Sequence, residues 1–445
     1  MGLASWGKHT QLVTKGEVVR RAARGAGWTL CGDVIGRTST LVSTIEAARL
    51  LGEHDFGGLA LIQGTVFLFV ALSGHGIGLI VLKFVSESYD RDKVRAGEIL
   101  GSAILVLIGL GCACTSCLWI LARLVAHDIL GRGVLAEPLR LASFILLLAP
   151  ATVLFTSALS AMRCFRPRSL LVAIHGMLDA CGILTGSVAG GLVGAVVGYV
   201  LAEALTACIG FLLTLQYARR SDLSISWNLD CDRLWTMFRF GLPAAGASML
   251  LSMATWIGQL ILVHQLGGLQ MVATFAIANR WYLVVQFLPS TLSVVALPLL
   301  SFLWNSGDRT QYRQLLKVVV ISSFVLVTVG ALVAIIFARW ILLLEGPSVR
   351  NYEASFDVLV LAAIPTAVSS VLGQAAIAMH QTSWWIASDV VLALVVSICA
   401  ILMVPRLGVV GLSASYAIGF VATNVAIAPA FRLLGRVNRG VIQSP

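Results

Sequence analysis

The distribution of apolar and polar residues divides this chain into long apolar runs separated by short charged or turn-rich breaks. Each run is long enough for a helix of about 20 residues across a hydrocarbon core about 30 Å thick, and none alternates like a barrel strand. The pattern therefore predicts an all-α polytopic membrane protein with about 12 transmembrane helices, numbered here as spans one to twelve. The spans lie near residues 26–48, 58–82, 98–121, 139–161, 170–190, 192–216, 240–264, 272–300, 316–338, 356–379, 384–404 and 409–431.

The second half of the chain repeats features of the first half at a nearly constant offset of 215 to 218 residues. Six helices is an even number, so the two halves would have the same orientation in the membrane. This indicates two six-helix bundles related by a pseudo-twofold axis, a transporter architecture with the substrate path between the bundles. The matches are Leu51-Gly52 with Leu266-Gly267, Asp90-Arg91 with Asp308-Arg309, Pro150 with Pro365, Ala161-Met162 with Ala378-Met379, and Gly191 to Tyr199 with Gly408 to Tyr416.

The repeat and the polar breaks give a predicted domain organisation. We expect a leader over 1–25, a first bundle over 26–216, a linker over 217–239, a second bundle over 240–431 and a tail over 432–445. With the N-terminus inside the cell, 22 of the 31 Lys and Arg residues lie on the inner side and 7 on the outer side. Because inner loops carry the excess of positive charge, both termini are predicted to be cytoplasmic.

Composition excludes most other classes of protein. The chain is 58% hydrophobic and only 12% charged, with a mean hydropathy of +0.92, which does not fit a soluble globular protein. The net charge of +10 lies in short loops, where it marks topology rather than a nucleic-acid surface. The nine cysteines lack His or carboxylate companions at ligand spacing, so no metal site, cofactor or disulfide framework is predicted.

Charged residues inside the spans are the candidates for function, because each costs about 2.5 to 3.5 kcal/mol to insert. Asp33 and Arg37 lie at spacing i, i+4 in span one, and we expect them to neutralise each other in part. They would either join span one to a neighbouring helix or line a water-filled cavity. Glu46 faces elsewhere, and we expect it to pair with Arg49 near the membrane surface.

Arg280, next to Asn279 in span eight, is the second deep cation. It would either lie near a membrane surface or face the interface between the bundles together with Arg37. In the second case the two guanidinium groups would form a positive cavity suited to phosphate oxygens. Asn279 is included as a substrate-binding candidate.

Acidic residues inside the spans are candidates for ion coupling, since such a group could carry a proton or bind a cation. The alternative for each is a hydrogen bond between packed helices. These candidates are Asp33, Asp179, Glu203 and Asp389, and His175 lies one turn before Asp179. No hydrolase, kinase or dinucleotide-binding motif is present, and no outer loop is large, so catalysis is not predicted.

Taken together, several short motifs resemble those of the polysaccharide flippases of the Wzx type, which export O-antigen and exopolysaccharide. This family belongs to the multidrug/oligosaccharidyl-lipid/polysaccharide exporter superfamily. Two features depart from its pattern: the loop between spans ten and eleven has no Lys or Arg, and Asp33 stands beside Arg37. The motifs are Arg37, Ala48-Arg49-Leu50-Leu51-Gly52, Asp55-Phe56-Gly57, Gly76-Ile77-Gly78, Asp90-Arg91 and the GxxG that opens span six.

The resemblance implies a V-shaped pair of bundles in the bacterial cytoplasmic membrane. It also implies transfer of an undecaprenyl-pyrophosphate-linked oligosaccharide to the outer leaflet by alternating access, with cavity cations at Arg37 and Arg280. Candidate partners are the lipid bilayer, H+ or Na+, and a polysaccharide polymerase with its chain-length machinery, but no nucleic acid. Two alternatives stay open at this point: a cation-coupled multidrug exporter of the same superfamily, and a membrane glycan polymerase or ligase.

Overall fold

A computed structural model describes residues 15–89, 91–227, 231–340, 353–379 and 381–440. Asp90 and parts of the predicted leader and tail lie outside these ranges. Within them the protein is built from helices and contains no strand. The helices are α1 (Lys15–Ile80), α2 (Ser86–Tyr89), α3 (Lys93–Leu124), α4 (Ala136–Ala142), α5 (Ile145–Ala161), α6 (Phe165–Arg220), α7 (Cys231–Val263), α8 (Gly268–Val285), α9 (Phe287–Asn305), α10 (Arg309–Ile336), α11 (Glu353–Ala378), α12 (Thr382–Leu407) and α13 (Val409–Gly440).

The helix count agrees with the predicted twelve spans. In the described ranges, eight helices are long and apolar enough to cross a membrane, or nine if the bent pair α8–α9 is one span. Two of the eight have 63 and 56 residues, about three times the length that one crossing needs. Each of these two contains a non-helical glycine break and holds two spans. Helix α7, whose apolar segment Met249–Val263 is shorter, supplies span seven.

Spans five and six form a hairpin within α6. The turn lies at Gly190 and Gly191, where Gly191 has φ 56° and ψ −136°. Past the turn the two helices approach so closely that a Cβ on Gly198 would lie 1.8 Å from the Gly182 carbonyl oxygen. Small residues allow such contact between helix backbones in a membrane, so the glycines fix the distance between spans five and six.

The break at Gly52, with φ 73° and ψ 167°, separates span one from span two. A Cβ on Gly36 of span one would touch Val172 of span five, and a Cβ on Gly58 of span two would touch Leu192 just after the α6 turn. The Gly52 and Gly190–Gly191 breaks therefore lie at the same end of the bundle. Spans one and two thus pack directly on the α6 hairpin.

The predicted repeat is visible in the backbone. Gly408, which separates α12 from α13, has φ 56° and ψ −131°, nearly the same conformation as Gly191. Gly52 and Gly267 both have positive φ. Asp92 and Asp308 both cap the helix that follows, each accepting a hydrogen bond from the backbone N–H three residues later. This shared role aligns Asp308 with Asp92 rather than with the predicted Asp90.

The two halves of the chain meet along spans two and seven. Trp256 Nε1 donates to Thr65 Oγ1 at 3.1 Å, and a Cβ on Gly57 would lie 1.9 Å from the Leu269 carbonyl oxygen. Toward the other end, a Cβ on Gly241 would touch Ile80. We call this contact the seam. On another side of the molecule, spans one and eight leave an open space between them, which we call the crevice.

Candidate functional site

A chamber of about 350 Å³ lies between the halves. Spans one, two, four, five and six line it from the first half, and span eight lines it from the second half. The crevice, about 280 Å³, adjoins the chamber, since Thr40 and Arg280 line both spaces. The two spaces therefore lie side by side, with Thr40 and Arg280 at their common border.

Three titratable side chains of the first half meet on the chamber wall. His175 and Asp179 lie one turn apart on span five, with His175 Nε2 3.4 Å from Asp179 Oδ2. Glu203 comes from span six and is only 2% exposed. One ligand atom from each of these residues lies within 4.8 Å of the others. The α6 hairpin brings them together because Asp179 and Glu203 lie at similar distances on either side of the turn.

Neutral groups hold Glu203 in place. Thr152 Oγ1 of span four donates to Glu203 Oε2 at 3.4 Å, and the hydroxyl of Tyr199, one turn earlier on span six, donates to the same carboxylate. By contrast, His175 Nδ1 and Asp179 Oδ1 are buried without a hydrogen-bond partner among the described residues. Glu203 is thus fixed, whereas His175 and Asp179 keep unused polar atoms.

Arg280 reaches this cluster from span eight of the second half. It lines the chamber together with Asp179 and Tyr199, and its positive charge is attracted to the Asp179 carboxylate. Tyr282 and Gln286, on the same helix, fix span eight to α11. Tyr282 OH donates to Thr366 Oγ1 at 3.0 Å, and Gln286 Nε2 donates to the Ala363 carbonyl. The cation of the second half is therefore supported by its own half while it faces the carboxylates of the other.

Arg37 lies in the crevice rather than in the chamber. Its guanidinium carbon is 4.9 Å from the centre of the Phe287 ring, within the range of a cation–π contact. Phe287 opens α9 directly after the break at Gln286, where α8 and α9 bend by 47°. The bend in span eight thus places an aromatic ring against the exposed cation of span one.

Other predicted residues lie elsewhere. The expected pair of Asp33 and Arg37 does not form, because Asp33 Oδ1 instead lies 3.7 Å from Arg168 Nη1 of span five. Asp33, Asn279 and Asp389 line neither the chamber nor the crevice. The predicted contact between Glu46 and Arg49 is present, at 3.0 Å.

The two spaces also contain residues that sequence reasoning did not select for function, notably Tyr199, Thr152 and Gln63 in the chamber and Phe287 in the crevice. Tyr199 was noted only as part of the repeat. Its spacing of i, i+4 from Glu203 places both on one face of span six, and this signal could have identified it. Phe287 had no such signal, because its contact with Arg37 depends on the arrangement of the two halves.

The charged cluster is not repeated at the equivalent described positions of the second half. At the offset of 217 residues, His175, Asp179 and Glu203 correspond to Leu392, Val396 and Phe420, which are 3%, 0% and 7% exposed. These three side chains belong to the largest apolar core. The two halves therefore share backbone features, whereas the charged side chains of this cluster lie in the first half.

Solved structures with this fold are membrane transporters. An inward-facing multidrug resistance MATE family transporter of the MOP superfamily matches with a TM-score of 0.76 at 15% identity, over 93% of this chain and 99% of that chain. The lipid II flippase MurJ, in an inward closed conformation, matches with a TM-score of 0.73 at 14% identity, over 90% and 86%. The predicted exporter fold of two related six-helix bundles is confirmed.

Sequence comparison defines the family. Residues 22–304, more than half of the chain, match the family described as polysaccharide biosynthesis protein, and the chain belongs to this family. The EPS I polysaccharide export inner membrane protein EpsE of Ralstonia nicotianae is 24% identical over 284 residues, which cover 60% of this chain and 61% of that protein. The EpsE of Ralstonia solanacearum gives the same identity over 279 residues. The chain thus matches less than two thirds of the length of these relatives. The predicted resemblance to polysaccharide flippases is confirmed.

Proposed function

We propose that this protein is a flippase that moves an undecaprenyl-pyrophosphate-linked oligosaccharide across the bacterial cytoplasmic membrane by alternating access. The observation that carries the proposal is the placement of two arginines in adjoining spaces, Arg37 in the crevice and Arg280 in the chamber. Together, these two spaces would form the substrate path. A guanidinium group binds phosphate oxygens in a bidentate fork. The pyrophosphate would meet Arg37 first and Arg280 second.

The walls of the path suit the other parts of such a substrate. Val34, Leu283 and Val284 give the crevice an apolar wall, against which an isoprenoid chain could remain in contact with lipid. Inside the chamber, the hydroxyls of Thr40 and Thr44 donate to carbonyls of their own helix. Their oxygens can still accept hydrogen bonds from sugar hydroxyls.

The size of the chamber supports a change of conformation during transport. Its volume of about 350 Å³ is near the lower end of the range of about 300 to 1,000 Å³ found for small-molecule sites. A pyrophosphate and the sugar next to it fit this scale better than a whole oligosaccharide. The two halves would therefore have to separate before the glycan could pass.

Asp179 and Glu203, with His175, are our proposed site for the coupling H+ or Na+. Of the four predicted coupling residues, these two line the chamber, whereas Asp33 and Asp389 do not.

We further propose that both termini are cytoplasmic. Polymerase and chain-length proteins would then act on the glycan after its release on the outer face.

The main test is the variant Arg37→Ala with Arg280→Ala, reconstituted in vesicles with a labelled lipid-linked oligosaccharide. Loss of two charge-assisted contacts should lower the rate of translocation at least about tenfold. Arg123→Ala is the matched control, since Arg123 is an exposed cation at the end of α3, and it should transport normally. Normal transport by the double variant at equal reconstitution would refute the proposal.

A cation-coupled multidrug exporter is the second candidate, because Asp179 and Glu203 also offer negative charge to a cationic drug in the chamber. Export of a cationic dye that is lost in Asp179→Asn would favour it. Loss of surface polysaccharide in a deletion strain, restored by the wild-type gene, would favour the flippase.

A further inference from the structure

The chamber brings together charges from the two halves of the protein. Arg280 comes from span eight of the second half, whereas Asp179 and Glu203 come from spans five and six of the first half. The closest described contacts of the two carboxylates are with their own half, to His175 at 3.4 Å and to Thr152 at 3.4 Å. The attraction between Arg280 and Asp179 therefore acts across the interface that has to open.

The charges that face Arg280 can be named from each helix that lines the chamber. Span five contributes His175 and Asp179, span six contributes Tyr199 and Glu203, and span one contributes Arg37 in the adjoining crevice. The side chains that spans two and four add, such as Gln63 and Thr152, carry no charge. With both carboxylates ionised and His175 neutral, the two arginines are balanced. With both carboxylates neutral, the site carries two positive charges.

The headgroup of the proposed substrate has a charge that complements the site when both carboxylates are neutral and the two arginines are left with two positive charges. A pyrophosphate joined to a lipid at one end and a sugar at the other carries two negative charges, and its ester bonds leave it no proton to exchange near neutral pH. It therefore competes with Asp179 and Glu203 for the same guanidinium group. Two sets of anions cannot both be well paired with Arg280 in a chamber of this size.

On the basis of the proposed flippase function, we infer that Arg280 exchanges partners. In the substrate-free protein the carboxylate of Asp179, which lies in one cluster with Glu203, attracts it across the interface, and the pyrophosphate of the substrate takes its place. Protons or a cation then bind to the released carboxylates. Binding of the anionic headgroup and binding of positive charge to Asp179 and Glu203 favour each other, as thermodynamic linkage requires.

The asymmetry of the repeat supports this role. A purely structural contact between related halves could be built on both sides of the interface. Here the positions that correspond to the charged cluster are apolar and buried, as Leu392, Val396 and Phe420. Only one half therefore offers a competitor for the substrate among the described residues.

The test measures binding of a short-chain prenyl-pyrophosphate-linked sugar to the purified full-length protein between about pH 5.5 and pH 8, a range over which the diester keeps both of its negative charges. The wild-type protein should bind more tightly as the pH falls and should take up protons on binding, measured with an indicator dye in weak buffer. Asp179→Asn with Glu203→Gln should bind at least about tenfold more tightly at pH 8 and lose most of the pH dependence.

Two further variants keep the result interpretable. Asp389→Asn neutralises a carboxylate inside a span but outside the chamber, and should bind as the wild type does. The single variant Glu203→Gln, checked for an intact melting transition, should lie between the wild type and the double variant. Equal affinity of the wild type and the folded carboxylate variants would overturn the inference while leaving the flippase function standing. Absence of binding to the wild type at every pH would overturn both.

Discussion

At the scale of single residues, the contact between Asp33 and Arg168 differs most from expectation. The spacing of Asp33 and Arg37 correctly puts them on one face of span one, but spacing alone does not say which helix that face meets. In the folded protein span five passes beside Asp33 and span eight beside Arg37, so each side chain takes a different neighbour. The charges were recognisable from the sequence, whereas their partners were not.

The Asp33–Arg168 contact gives a prediction about stability. The side chains are 32% and 23% exposed, and Arg168 Nη1 has no hydrogen-bond partner among the described residues. Removing the carboxylate in Asp33→Ala should destabilise the protein by about 1 kcal/mol, because a half-buried guanidinium loses the acidic partner that lies 3.7 Å away. Thermal unfolding of the protein in detergent would measure the change.

A double-mutant cycle separates this contact from other effects. Asp33→Ala with Arg168→Ala should cost less than the sum of the two single variants. Glu46→Ala, which breaks the more exposed pair with Arg49, should change the melting temperature little. Strictly additive losses at Asp33 and Arg168 would mean that the two side chains do not interact.

The proximity of Asp179 and Glu203 could have been predicted from the sequence by combining their positions with the predicted turn between spans five and six. Both residues were candidates from their charge, and the turn at Gly190 and Gly191 was also predicted. They lie at nearly equal distances before and after that turn, so a hairpin brings them to the same depth. Arg280 could not have been added in this way, because it comes from a half whose placement depends on packing between bundles.

At the scale of helices, the turns that could be predicted from the sequence are mostly those at glycine residues. The recurrence of Gly191 as Gly408 correctly marked two turns, and both have the same unusual backbone conformation. Span eight is the exception, since a single helix was expected over 272–300. It breaks at Gln286, whose side chain bonds to the Ala363 carbonyl, and Pro289 three residues later lacks a backbone N–H.

The α6 hairpin should be sensitive to a single added methyl group. In Gly198→Ala the new Cβ would lie 1.8 Å from the Gly182 carbonyl oxygen, so the two helices would have to move apart. The strain, about 1 to 3 kcal/mol, should outweigh the gain in helix propensity of about 1 kcal/mol. The melting temperature of the variant in detergent should therefore fall.

Gly109→Ala is the matched control for this variant. Gly109 also lies inside a span, and a Cβ there would meet nothing within 4 Å. The control should be as stable as the wild type or slightly more stable, since alanine favours the helix. If both variants melted alike, close approach at Gly198 would not limit stability.

At the scale of the whole molecule, the seam and the crevice define how the halves could move. At the end of the bundle where Gly52 and Gly191 lie, Arg132 Nη2 donates to the Val263 carbonyl at 3.4 Å, and Gly131 lies beside His264. Nearer the middle of the seam, Trp256 contacts Thr65, about 20 Å along span two from Gly52. The number of spans and the family were predictable, but the choice of spans two and seven for the seam was not.

Disulfide crosslinks at these two places should have different effects if the halves rock as proposed. A crosslink between Gly131→Cys and His264→Cys joins the halves at one end, where rocking must separate them, and should block transport until it is reduced. A crosslink between Thr65→Cys and Trp256→Cys lies near the pivot and should leave substantial transport. Vesicle assays before and after oxidation would compare them. Full transport with the first pair crosslinked would exclude opening at that end.

The position of Arg280 in the chain also bears on how the protein is assembled. Ribosomes make spans five and six, with Asp179 and Glu203, before span eight exists. Until then the described neighbours of the two acids come from their own half, and they include His175, Thr152 and Tyr199. Arg37 of span one is already present at this stage, but Arg280 arrives with a later insertion event. The newly made first half therefore has to accommodate the two acids with only one of the two arginines of the site in place. Entry of span eight therefore completes the set of charges in this site.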